Sequence, residues 1–420
     1  MFSALLKSQL KHDTPYAWFL RSRASYSPLF RQQHLAELDE RLEAYLDCYL
    51  ISEQAGASLL PDLNPEDWGS CFVYAVLAIR LHNETLFATA LDHLKPEAAT
   101  HYREIADACL WDGPDNLSPW LLKLYRHPSP IAQQAAVAVA RAIPGNMHPD
   151  ILQTYLANSD PALQIQLLNW LGEHQYTQAL PFITERYTHD NPAIAFAAAR
   201  AGFLLQAKGA KSQLESFALT ENPHMLDAIT LLFIQAQPAQ LTTWVNKLWH
   251  TDKLSIRVKL YGTAVAGLST NIDRLLPPMA EPETAKIAGE AFTLITGIDI
   301  ENNDLDAIDE TYDNYDDENL ADTATLAEQL QTDPLTADWE DDLPTPCPTK
   351  ITQWWQKNAN NFQLGTRYLA GLELNATNLK RIQATGNQRQ RHIAALHLLI
   401  SHHEPWFDCG WPTRMQQSAT

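Results

Sequence analysis

Apolar positions recur at helical spacing through the middle of the chain, and the helices they predict begin at a fixed interval. The segments Pro130-Ile-Ala-Gln-Gln-Ala-Ala-Val, Pro161-Ala-Leu-Gln-Ile-Gln-Leu-Leu, Pro192-Ala-Ile-Ala-Phe-Ala-Ala-Ala and Pro223-His-Met-Leu-Asp-Ala-Ile-Thr start 31 residues apart, and Leu254-Ser-Ile-Arg-Val-Lys-Leu-Tyr keeps the register. Ser159-Asp160, Asp190-Asn191 and Glu221-Asn222 precede three of the prolines. A capping residue followed by proline marks a helix start, because proline at the first helical position has no amide hydrogen to leave unpaired. Six residues past the anchors stand Ala136, Leu167, Ala198, Ile229 and Leu260, and ten past them Ala140, Leu171, Gly202, Phe233 and Ala264. A spacing of four keeps both sets on one helical face, so these are the expected core. A second amphipathic stretch lies before each anchor, as in Ile151–Leu156 and Leu180–Tyr187. Two helices per 31 residues predict an all-α protein with a HEAT-like α-solenoid.

The flanks read differently. Leu35, Leu38, Leu42, Tyr45, Leu46 and Tyr49 predict one long helix, and Trp68 to Leu81 predicts another, so residues 1–113 are expected to form a helical N-terminal cap ahead of the solenoid at 114–298. A cap is required because the first repeat would otherwise expose an apolar face. After Lys350 apolar spacing returns with Ile351, Trp354 and Trp355, then Leu379 to Ile382, then a helix expected over Asn387 to Ser401, giving a C-terminal helical module at 350–420.

Charge separates these parts. The chain of 420 residues carries 50 Asp plus Glu against 30 Lys plus Arg, a net charge of -20. Seventeen of the acids lie between Asp299 and Asp342, so without them 33 acids face 30 bases and the remainder is near neutral, at -3. With no Lys or Arg from 287 to 349 and with Pro344, Pro346 and Pro348 at its end, segment 299–349 reads as a flexible, solvated acidic linker, dispensable for folding over 303–343. Near-neutrality elsewhere argues against nucleic-acid binding, which concentrates basic residues. No run reaches the length of a membrane span. The five cysteines are dispersed and never in a CxxC pair, which points to neither a disulfide framework nor a zinc site and to a reducing, cytoplasmic compartment.

Chemistry is scarce. The chain has no GxxxxGK[ST], GxGxxG after a strand, GxSxG or HExxH, so no catalytic, cofactor or metal residue is assigned and the protein is not expected to be an enzyme. His392, His397, His402 and His403 lie five and ten apart, which does not gather ligands on one helix face. Asp313-Asn-Tyr-Asp316-Asp-Glu318 lacks the glycine of a calcium loop. Candidate partner contacts are the positions three and five past the anchors, where Gln133, Gln164, Gln166, Arg257 and Lys259 would form a strip running from neutral amides to cations. To these are added Arg389 and Arg391 of a basic patch with Lys380 and Arg381, for which folding against the acidic tract is the other reading, and Trp406 and Trp411 of the aromatic close, for which the other reading is pinning the C-terminal module in place.

Further blocks stand in order along the chain: Leu35-Ala-Glu-Leu-Asp-Glu-Arg-Leu-Glu-Ala-Tyr-Leu-Asp47 with Glu53-Gln-Ala-Gly56, Gly289-Glu-Ala-Phe-Thr-Leu-Ile-Thr-Gly-Ile-Asp299, Gly365-Thr-Arg-Tyr-Leu-Ala-Gly371, Gly386-Asn-Gln-Arg-Gln-Arg391, and Trp406-Phe-Asp408 with Trp411-Pro-Thr-Arg414. Together they resemble a family of uncharacterised proteobacterial HEAT-repeat proteins often encoded near type VI secretion genes. The resemblance transfers no active site and implies a cytoplasmic accessory of a secretion apparatus. Glu290, Arg367 and Arg389 are the polar members of these blocks, suited to a salt bridge or to a partner contact. Two functions follow: a protein-binding scaffold or adaptor, handling or neutralising an effector, and an enzyme on a HEAT scaffold such as a DNA-base glycosylase. The missing basic stripe disfavours the second, and no cysteine stands out for a bilin-lyase type of chemistry.

Overall fold

The computed structural model describes residues 3–64, 67–94, 102–115, 117–143, 145, 147–307 and 342–419. These are mostly helical, and the fold is all-α with a single two-stranded hairpin among the described residues. Contacts divide them into two compact units. The first takes in the described residues of 3–183 with 406–419, and the second those of 184–307 with 342–405. The division falls inside the 114–298 segment and inside the 350–420 module rather than at their expected edges.

In the first unit, helices Ala4–Ala24 and Gln32–Gln54 pack together, and the second of them buries Leu35, Leu42, Leu46 and Tyr49. Ser70–Arg80, Tyr102–Trp111, Pro130–Ala142 and Pro161–Glu173 then pack in succession, each on the next. Helix Thr413–Ala419, at the far end of the chain, lies against Gln32–Gln54 and Tyr102–Trp111.

In the second unit, Pro192–Leu204 packs on Ala210–Ala218, that helix on Met225–Gln235, and Met225–Gln235 on both Ile256–Ala266 and Gln388–His402. Gly202 lies under the Tyr187 ring, where any side chain would collide with the phenol. The hairpin pairs Tyr368–Leu369 with Leu372–Glu373 and rests on helix Ala285–Thr296, with the Ala370 and Gly371 amides donating to the Leu294 and Ile295 carbonyls at 2.7 and 2.9 Å. Gly297 ends that helix at φ +72°, a conformation glycine adopts without strain.

Helix starts coincide with the first three anchors, two intervals of 31 residues, and then slip. Helices begin at Pro130, Pro161 and Pro192, with Asp160 accepting from the Leu163 amide at 2.8 Å and Asn191 from Ala193 at 3.0 Å. At the fourth anchor Asn222 spends its side chain on a turn, accepting from the His224 amide, and the helix opens at Met225. At the fifth, Ser255 caps Val258 and the helix opens at Ile256. The ten expected core positions are all buried.

The acidic segment needs a correction at both edges. Its central part, 308–341, lies outside the described residues. The flanks are ordered: Ile300, Leu305 and Leu343 are buried, the Ala307 amide donates to the Thr345 carbonyl, and the Cys347 amide donates to Leu305, both at 2.8 Å. Three apolar side chains spaced among the acids give these flanks something to bury.

Candidate functional site

The first unit holds a polar cavity of about 50 Å³, lined by side chains from three helices and the C-terminal segment. Each helix contributes an arginine on its buried side. Arg21 follows Trp18 by three and Ala17 by four, both buried, and is itself 1% exposed. Arg141 follows Val137 by four, and Arg103 precedes Asp107 by four on Tyr102–Trp111.

In two of these guanidiniums every nitrogen has an acceptor. Arg21 donates from Nε to Asp39 at 2.8 Å, from Nη2 to the Trp411 carbonyl at 2.6 Å, and from Nη1 to the Gly410 carbonyl. Asp39 turns its other oxygen to the Thr413 amide at 2.7 Å. One ion pair thereby holds the backbone of 410–413 from both sides, and charge-assisted bonds of this kind are stronger than neutral ones. Arg141 makes a two-pronged pair with Glu173 at 2.7 and 2.8 Å, adds a bond to Gln166 at 3.3 Å, and lies 5.7 Å from the centre of the Trp406 ring.

Arg103 is held more loosely. It donates from Nη1 to the Tyr26 hydroxyl and lies 5.1 Å from the centre of that ring. The Tyr102 hydroxyl accepts from Gln166 Nε2 at 2.9 Å. Two carboxylates complete the wall. Asp107 accepts from the Trp18 indole at 3.2 Å, and burial pushes it up to about 6 although Arg21 and Arg103 pull the other way. Asp408 accepts from the Gly410 amide at 2.8 Å. Burial also pushes the Tyr26 phenol up to about 12, so its hydroxyl stays protonated at neutral pH.

The residues proposed from sequence are distributed across both units. Gln166, Trp406 and Trp411 come to this cavity or its wall. Gln133 and Gln164 do not face a groove: each donates to the carbonyl six residues earlier, His127 at 2.8 Å and Asn158 at 3.1 Å, closing the loop ahead of its own helix. Their neighbours Ala135, Ala195, Ala197 and Ala228 are buried, so the expected solvated strip is interrupted. It fails because the helices are packed on more than one side, which leaves offsets of three and five between neighbours. Arg257 is exposed and Lys259 half-buried, both in the second unit.

The basic patch is likewise dispersed. Arg389 pairs with Glu290 at 2.5 Å and Lys380 with Glu404 at 2.8 Å. Arg391 is buried, donating to the Gln383 carbonyl at 2.6 Å and to Gln388 at 3.0 Å. Arg367, considered for a salt bridge, instead donates to the carbonyls of Ala266, Val265, Ile234 and Ala236 at 3.1 to 3.5 Å.

Arg21, Tyr26, Arg103, Asp107 and Arg141 were not anticipated. Their one local signal is an arginine in register with an apolar face, as in Trp18-Phe-Leu-Arg21 and Val137-Ala-Val-Ala-Arg141. The blocks that carry the family resemblance meet within the units: Asp39 with Thr413 in the first, and Leu294, Ala370 and the Glu290–Arg389 pair in the second.

No helix among the described residues is long and apolar enough to cross a membrane, and none of their His, Cys, Asp and Glu side chains group to hold a metal ion. No protein-family model, curated protein or solved structure matches the chain.

Proposed function

We propose that this chain is a non-catalytic protein-binding scaffold on a HEAT-like helical repeat, acting in the cytoplasm as an accessory of a type VI secretion apparatus. The observation that carries the repeat reading is local equivalence at one interval. Helices open at Pro130, Pro161 and Pro192, and Gln133 and Gln164 close the preceding loops with the same bond to the sixth residue back. Repeats of this kind offer extended surfaces to protein partners. The secretion setting rests on the family resemblance of the sequence blocks.

Of the strip first considered, exposed Arg257 and half-buried Lys259 are the remaining cationic partner contacts. They suit an acidic protein surface, and two cations are too few for the steep salt dependence of nucleic-acid binding. The test is affinity purification of the tagged chain from cells expressing the apparatus, followed by mass spectrometry. Enrichment of a secretion component or effector, reduced at least tenfold in affinity by R257E/K259E, is the expected result. A purification that enriches none of them counts against the reading.

A further inference from the structure

The cavity of the first unit carries hydrogen-bond donors that the protein's own acceptors do not take up. Arg21 and Arg141 are spent on Asp39, Glu173, Gln166 and two carbonyls. Arg103 has five N–H groups and gives one of them, to Tyr26. Its Nε is buried with no partner among the described residues, and no carboxylate among them comes within ion-pair distance. Tyr26 accepts from Arg103 and Tyr102 accepts from Gln166, so each hydroxyl still has its hydrogen to donate, and no acceptor for either is found among the described residues. A buried donor without an acceptor is unfavourable, so the Arg103 end of this wall is completed by something rich in acceptors.

We propose that the Arg103 end of this cavity binds a small oxyanion, a carboxylate or a phosphate-type group, held by the Arg103 guanidinium and the Tyr26 and Tyr102 hydroxyls. Size agrees. At roughly 10–15 Å³ for each water-sized group, a cavity of about 50 Å³ takes one carboxylate or one tetrahedral oxyanion and excludes a nucleotide or a sugar. The site is independent of the scaffold reading, and either stands without the other.

Asp107 and Asp408 fix how the anion sits. Each has one oxygen engaged, by Trp18 and by Gly410, and each repels an anion placed against it. The groups facing Asp107 are Arg21 on the first helix, Arg103 and Glu104 on its own helix, the Trp18 indole, and Asp408 on the C-terminal segment. Protonating Asp107 removes one repulsion, so the anion binds more tightly in mild acid.

The test is calorimetric titration of the full chain with sodium sulfate, whose charge is constant from pH 5.5 to 7.5, and separately with sodium acetate. Saturable binding of at least one is expected, at least threefold tighter at pH 5.5 than at 7.5 for sulfate and at least tenfold weaker in R103M. A tighter sulfate arm assigns a phosphate-type ligand, and a tighter acetate arm assigns a carboxylate. If R103M fails to fold by circular dichroism, Y102F decides, with a loss of about threefold expected. Absence of saturable binding by either anion, an affinity that ignores pH, or folded variants that bind like the parent would each overturn the proposal.

Discussion

Arg21 and Arg367 are both sunk in the protein and both hold other segments by their backbone carbonyls, yet they are neutralised in different ways. Burial disfavours the Arg21 charge, but Asp39 and then Asp107 more than offset it, and its pKa lies above the ordinary arginine value. Among the described residues no such carboxylate pairs with Arg367. Its acceptors are the last carbonyls of helices Met225–Gln235 and Ile256–Ala266 and the residue just beyond the first of them. These are the negative ends of two helix dipoles. Burial pushes Arg367 down to about 10, which still leaves it charged at neutral pH. A carboxylate must itself be desolvated and is left stranded if the arginine goes, whereas helix-end carbonyls are already in place and only lose a donor.

The largest effect separating the two is therefore R21M. It leaves Asp39 buried without its counter-charge and frees two carbonyls, at a cost of about 3–5 kcal/mol, read from urea unfolding. The double variant R21M/D39N is expected to cost less than the two single losses added. Next comes R367M, for which about 2–3 kcal/mol follows from unpaired carbonyls alone. A larger loss for R367M than for R21M would break the comparison.

A pH series sharpens it, because the two units carry opposite titrations. Burial pushes Glu104 in the first unit from 4.5 up to about 8, even though the Gly69 and Phe72 amides donate to it. Its contribution is full below about pH 4.5 and is lost as pH rises through about 8. In the second unit burial, helped by positive Arg367 and by His402, pushes His397 from 6.5 down to about 3. Its contribution is full above about pH 6.5 and is lost as pH falls through about 3. E104Q should flatten the alkaline decline and H397Q the acidic one, each by up to about 1.4 kcal/mol per pH unit. An alkaline decline that persists unchanged in E104Q would remove Glu104 from the account.

The smallest effect concerns the acidic segment. From its acidic, linker-like sequence, deleting 308–341 should shift stability by less than about 0.5 kcal/mol, the scale of surface changes. Extending the deletion to 303–343 also removes buried Leu305 and Leu343 and is no longer neutral. Equal melting temperatures for the two deletions would show that the ordered flanks contribute nothing.

Much of the fold was legible because its rules are local. Asp160-Pro161 and Asn191-Pro192 announce helix starts through capping that involves neighbouring residues only. The register slipped at Pro223 and Leu254, where the nearby polar residues Asn222 and Ser255 had two ways to bond and used the one that delays the helix. The cavity was not legible. Arg21 follows the apolar run Ala17-Trp-Phe-Leu20 near the end of its helix, which reads equally as a surface residue near a helix C-terminus. Its carbonyl acceptors lie 389 and 390 residues away, and no local spacing carries that information. Trp406 and Trp411 were noticed for their size, while the backbone between and beyond them, which Arg21 and Asp39 hold, has no side-chain signature at all.

Hydrogen exchange at the Thr413 amide tests most directly whether the Arg21–Asp39 pair fastens the C-terminal segment to the N-terminal helices. That amide donates to Asp39 at 2.7 Å. In D39N and in R21M, under conditions where both remain folded, peptides covering 409–416 should exchange at least tenfold faster than in the parent, while those covering Ile256–Ala266 keep their rate. Unchanged exchange over 409–416 in both variants would contradict the account.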